Sequence, residues 1–87
     1  MAYEITYFAV SQYGKYSMPN LSNAIGGAEY DSRTEVHKAM KEKGVSSYTV
    51  IVCCSVIDDS GEYAIDFGYG LTVKQAKANV LPRYGLK

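Results

Sequence analysis

The stretch from Tyr48 to Phe67 constrains the fold more than any other. Tyr48-Thr49-Val50-Ile51-Val52-Cys53-Cys54-Ser55-Val56-Ile57 is rich in β-branched residues, which suit a pleated, half-buried surface. Asp58-Asp59-Ser60-Gly61 then supplies turn chemistry, with Gly61 able to take positive φ. Glu62-Tyr63-Ala64-Ile65-Asp66-Phe67 alternates strictly, placing Tyr63, Ile65 and Phe67 on one face. The pattern predicts a β-hairpin. Its expected core residues are Val52, Ile65 and Phe67.

The other elements must be arranged around this hairpin. Tyr3 to Val10 predicts a first strand with apolar bulk on both faces, which is compatible with a central position. Ser11 to Lys15 reads as a turn, and Tyr16-Ser17-Met18 as a short further strand. Asn20 to Ile25 has room for one or two helical turns, which Gly26-Gly27 would stop. Ser32-Arg33-Thr34-Glu35 has capping-box spacing. It opens a helix to about Lys43, with Val36, Ala39 and Met40 facing inward and Gly44 as its stop. Thr72-Val73-Lys74-Gln75 is a second capping box. The helix it opens carries an inner stripe of Val73, Ala76, Val80 and Leu81, and Pro82 is expected to end it.

The order is strand, irregular arm, helix, strand, strand, helix. That order predicts an α+β fold, a small two-layer sandwich with both helices on one face of a mainly antiparallel sheet. The sheet has three strands, or four if Tyr16–Met18 joins it. Whether the first strand runs parallel or antiparallel to its neighbour is open. At 87 residues the chain reads as one domain spanning residues 1–87. It has room for one core layer and little room for an enclosed cofactor cavity, so no cofactor is expected.

Charge and composition exclude several classes. Nine basic residues balance nine acidic ones, which disfavours a strong phosphate-binding surface and a nucleic-acid mimic alike. Low net charge also removes repulsion between copies, so self-association to a homodimer is compatible with it. No apolar run approaches the roughly 18–20 residues of a spanning helix. Met1-Ala2-Tyr3-Glu4 does not resemble a secretory leader, so the expectation is a cytoplasmic protein. Cys53 and Cys54 are adjacent in a strand and point to opposite faces, so they read as small buried hydrophobes in a reducing compartment.

Catalytic signals are sparse. His37 is the only histidine, lies off the helix stripe, and has no nucleophile or orienting partner at a suggestive spacing. Asp58, Asp59 and Glu62 lack the ligand pattern of a calcium loop and read as a solvated turn. Gly68-Tyr69-Gly70 before a helix lacks the third glycine of a dinucleotide fingerprint and the lysine of a P-loop. It reads instead as a turn requiring backbone freedom. A small enzyme built from His37, a cysteine and scattered carboxylates is therefore the least supported class. No enzyme activity and no metal are expected.

One resemblance remains. Gly68-Tyr69-Gly70-Leu71-Thr72-Val73-Lys74-Gln75-Ala76-Lys77 is similar to the end of a double-stranded-RNA-binding domain, where a glycine-rich strand end precedes a lysine-bearing helix. The resemblance implies phosphate contacts from Lys74 and Lys77. It covers about ten residues. Val73 stands where a lysine is expected, Pro82 shortens the helix, and one strand precedes the first helix.

The most unusual feature is nine tyrosines beside two phenylalanines and no tryptophan. Tyrosine supplies large contact area at low entropy cost, and interfaces use it for that reason. Tyr7, Tyr48 and Tyr63 are expected to pack the sheet. Tyr13, Tyr16, Tyr30, Tyr69 and Tyr84 fall in turns or at element ends and are the expected partner-binding residues, with the arm from Tyr13 to Tyr30 at their centre. The leading expectation is thus a non-enzymatic module that binds another protein. By class-level analogy it would be an intracellular inhibitor or adaptor, such as a virus-encoded (phage) inhibitor of a host defence complex. The alternative is nucleic-acid binding through Lys74 and Lys77.

Overall fold

The structure is a computed structural model that describes residues 1–11 and 19–87. It has three strands, β1 (Ala2–Val10), β2 (Thr49–Ile57) and β3 (Ala64–Gly70), and two helices, α1 (Arg33–Glu42) and α2 (Val73–Ala78). They form the expected α+β arrangement. The sheet order is β1-β2-β3 with both pairings antiparallel. β1 therefore lies at an edge, and β2 has the central position. The short strand expected at Tyr16–Met18 lies outside the described residues.

Both side-chain caps form, while the Glu35 and Gln75 side chains reach back to the N–H groups of Asp31 and Leu71, one residue before each cap. The Glu35 N–H donates to Ser32 Oγ at 3.2 Å, and the Gln75 N–H donates to Thr72 Oγ1 at 3.1 Å. Gly44, at φ +73°, follows the end of α1, where a side chain would be strained. Helix α2 is shorter than its apolar stripe implies. It stops at Ala78, Val80 leaves helical geometry, and Leu81–Tyr84 form a separate 3-10 turn with Pro82 in its opening positions. Proline thus begins a new turn rather than ending the helix. Val73, expected inward, is exposed.

One core layer lies between the sheet and both helices. Val50, Val52, Cys54 and Val56 alternate along β2 and face it. Val36 and Met40 of α1 pack with Ala9 and Val50 at one end, and Ala76, Val80 and Leu81 pack with Val52, Cys54 and Val56 at the other. Arg33 Nη2 donates to the Leu71 carbonyl at 2.5 Å, which ties the start of α1 to the corner between β3 and α2.

The facing of β3 is the main correction. A register irregularity between Val56 and Ile57 precedes the pairings Val56–Asp66, Cys54–Gly68 and Val52–Gly70. The residues of β3 facing the helices are therefore Asp66, Gly68 and Gly70. Ile65 and Phe67 turn outward and are each 46% exposed, while Tyr63 is 65% exposed. The cause is the closeness of α2. A Cβ on Gly68 would stand 2.4 Å from the Ala76 carbonyl oxygen, and one on Gly70 would stand 2.5 Å from Gln75 Cβ. Only glycine fits there. Neither residue is among the positive-φ glycines, so the pair is needed for close approach rather than for backbone freedom.

Candidate interaction surface

The face of the sheet away from the helices is itself apolar, because alternate residues of every strand reach it. Glu4, Thr6, Phe8 and Val10 come from β1, Ile51, Cys53, Ser55 and Ile57 from β2, and Ile65, Phe67 and Tyr69 from β3. At the Phe8 end this face is closed. Phe8, Val10, Ile51 and Cys53 are buried together, with Ala24 of the arm and Tyr69 packed against them. The arm reaches this region through two 3-10 turns, Leu21–Asn23 and Ile25–Gly27. It is fastened to the β1 edge where Tyr7 and Tyr30 exchange backbone hydrogen bonds of 2.9 and 2.7 Å.

The other end of the face is open. There Ser55 pairs with both Glu4 and Phe67 across the strands. Phe67 stacks on Tyr69, with ring centroids 6.4 Å apart and planes at 14°. Tyr69 in turn meets Phe8 edge-on at 6.0 Å. An aromatic row therefore runs from the buried end to the exposed end, and exposed Ile65 follows it toward the hairpin turn. Neighbouring aromatics of this kind act as anchors when a partner covers them.

Glu4 lies on the open half, opposite Ser55. Glu29 is close enough to help raise the Tyr69 phenol and the Cys53 thiol above their ordinary pKa values, although burial is the main cause of both shifts. Asp59 in the turn is paired with the Met1 ammonium at 3.4 Å. Among the described residues, every lysine and arginine belongs to the helices, the 3-10 turn after α2, or the ends adjoining them.

The free edge of β3 is chemically occupied. In an antiparallel ladder, alternate residues turn their N–H and C=O groups away from the neighbouring strand. Three positions spaced by two have such a group held by a side chain. The Phe67 N–H donates to Asp66 Oδ1 at 2.8 Å, the Tyr69 carbonyl accepts from Asn79 Nδ2 at 2.6 Å, and the Leu71 N–H donates to Gln75 Oε1 at 2.8 Å. An incoming strand would have to displace these groups. The sheet face is therefore more accessible than the sheet edge.

Of the tyrosines expected to form one interface, the three among the described residues do not come together. Tyr13 and Tyr16 lie outside the described residues. Tyr30, Tyr69 and Tyr84 are each half-buried, and each packs against a different part of the core. Tyr84 donates to Asp66 Oδ2 at 3.0 Å, beside Arg83, which contacts the same oxygen at 2.9 Å. Tyr63, expected to pack the sheet, is the most exposed large hydrophobic side chain among the described residues. Its position just after the turn glycine Gly61 was the available signal.

The remaining candidates, except the buried Cys53, sit apart from this face. Lys74 is exposed on α2, and the Lys77 Nζ lies 5.1 Å from the centre of the Tyr3 ring. His37 is exposed, with Nδ1 2.5 Å from the Tyr48 hydroxyl in a shallow groove that Lys41 and Ser46 also line. Asp58 serves its own turn, accepting from the Ser60 N–H at 3.1 Å and the Ser60 hydroxyl at 2.5 Å. Cys53 and Cys54 are buried free thiols on opposite faces. Among the described residues there is no cluster of side chains able to hold a metal, and no helix is long and apolar enough to cross a membrane. The chain matches no family model, no curated protein and no solved structure.

Proposed function

We propose that this protein is a non-enzymatic protein-binding module, an adaptor or inhibitor, and that its contact surface is the open half of the outer sheet face. The observation that carries the reading is the aromatic pair Phe67 and Tyr69 with Ile65 beside it. Its outer members are substantially exposed, while its inner end is anchored in the buried cluster around Phe8. Exposed aromatic side chains backed by a rigid strand lose little entropy on binding and supply most of the energy of an interface. Of the five tyrosines singled out in the sequence, this reading keeps Tyr69 and gives Tyr30 and Tyr84 a core role.

The test is affinity capture from lysate of the native host, comparing the natural chain with Phe67→Ser and Tyr30→Ala variants whose folding is checked by circular dichroism. Specific proteins retained by the natural chain and by any folded Tyr30→Ala variant, but lost with Phe67→Ser, support the reading. An unchanged set of captured proteins with Phe67→Ser refutes it.

A further inference from the structure

The two edges of the sheet are finished differently. Side chains close the β3 edge, whereas the first half of the β1 edge is bare. The pairing of β1 with β2 runs without interruption from Ala2 to Val10. Tyr7 exchanges both its backbone hydrogen bonds with Tyr30, so its N–H and C=O face away from β2. In an unbroken antiparallel ladder every second residue shares that direction. Tyr3 and Ile5 therefore also turn their N–H and C=O groups outward, and among the described residues neither backbone nor side chain takes them. Ala2, Tyr3 and Glu4 are exposed, and Ala2-Tyr3-Glu4-Ile5 carries no proline, lysine or bulge, the usual means of blunting an edge.

We infer that this edge pairs with the same edge of a second copy, antiparallel about a two-fold axis at Tyr3, and joins the two sheets into one. An antiparallel edge is its own complement, because a two-fold rotation sets outward N–H groups against outward C=O groups. Charge and obstruction fix the register. An axis at Glu4 would set the two Glu4 carboxylates directly opposite each other, which is destabilising. It would also bring the other copy's strand against Tyr30 at Tyr7, and an axis at Ile5 would meet the same obstruction. An axis at Tyr3 pairs Tyr3 with Tyr3, Ile5 with Met1 and Glu4 with Ala2, and stops short of the bridge at Tyr7. The two Tyr3 rings then adjoin on the helix side, where the Lys77 ammonium of each copy lies 5.1 Å from its own ring centre. Cross-strand aromatic pairs stabilise such ladders. Nine basic and nine acidic residues leave no net charge to hold two copies apart. A contact made by one short edge is small, so the dimer belongs to the weak, concentration-dependent class.

The experiment measures sedimentation equilibrium and amide hydrogen exchange of the full chain over a wide range of concentration. The expected result is a monomer–dimer equilibrium, with exchange at Tyr3 and Ile5 slowing most as concentration rises. Tyr3→Pro removes an outward donor and no bond to β2, so the chain should stay folded and dimerise about tenfold or more weakly. Ala2→Lys would face Glu4 of the other copy and should tighten the dimer about threefold or more, whereas Ala2→Glu should weaken it. This exposed pair of variants decides the matter if Tyr3→Pro fails to fold. Phe67→Ser, on the outer face, should leave dimerisation unchanged, so this inference and the protein-binding reading stand or fall separately. A monomer at every concentration would overturn the inference. So would a dimer indifferent to Tyr3→Pro and to the charge at position 2. Protection of Tyr3 and Ile5 that appears only when a different protein is bound would assign the edge to a foreign strand and overturn it equally.

Discussion

Gly68→Ala tests the tightest contact of the fold with a single added carbon. Its Cβ would stand 2.4 Å from the Ala76 carbonyl oxygen and 2.8 Å from Val80 Cγ1, where ordinary contact begins at 3.4 Å. The obstacle is backbone and a fully buried valine, so no flexible side chain can swing aside. Relief requires α2 to withdraw by about 1 Å, which forfeits a quarter to half of each dispersion contact across the gap. Overpacking costs about 1–3 kcal/mol, and a fixed backbone oxygen at 2.4 Å puts this case at the upper end of that range. Against it stands a gain of about 0.5–1 kcal/mol, because alanine is less costly than glycine in a strand. The clash wins, and the net loss should be about 2 kcal/mol. With an m-value near 1 kcal/mol/M for a small chain, the urea midpoint should fall by about 2 M. Gly61→Ala is the comparison. It has φ +76° and no atom within 4 Å of the added carbon, so it should lose only about 1 kcal/mol through left-handed strain. A Gly68→Ala variant as stable as the natural chain, with an unchanged m-value, would refute the close docking of α2 on β3.

Other substitutions probe the remaining links. Ser32→Ala and Thr72→Ala should each lower stability by about 1 kcal/mol in urea melts, since each removes a cap seen at its helix start. Phe8→Ala should cost about 3–5 kcal/mol, whereas Ile65→Ala, on the open face, should cost under about 1 kcal/mol. Equal losses would mean that Ile65 is covered. The Asp66 carboxyl is held below its usual pKa, chiefly by the Phe67 N–H and then by Arg83. Its folded value therefore lies below its unfolded value of about 3.9, and its contribution is present above that pH and lost as pH falls through the folded value. The stability difference between the natural chain and Asp66→Asn should shrink as pH is lowered from about 5 toward 2. A difference that stays constant would refute that linkage.

Local chemistry made much of this fold legible. Ser32 and Thr72 announced their helices, Gly61 its turn, and the uncharged run through Val52 its buried strand. The facing of β3 was not legible, because hydrophobic alternation reports which face is apolar and not which face is inner. Here the inner positions had to be Gly68 and Gly70, since α2 leaves no space for a Cβ, and the bulky alternate residues were left outside. The candidate surface was hidden for the same reason. The very periodicity that identifies their strand assigns Ile65 and Phe67 to the core. Tyr30 and Tyr84 looked peripheral because they lie outside the main strands and helices, and tertiary packing drew both in.

The central placement of β2 also bears on how the chain avoids aggregation. Thr49–Ile57 contains no charge, proline or glycine, which is the composition of segments that stack into cross-β fibrils. Its protection is topological, with β1 on one side and β3 on the other. The β3 edge is already closed by side chains, so the weak point is the loss of β1. A chain shortened by its first ten residues would keep the hairpin and α2 but lose the support that Ala9 gives α1, and would bare an adhesive strand along its full length. Limited proteolysis after Val10 should therefore lead to fibrils or precipitate rather than to a smaller folded domain.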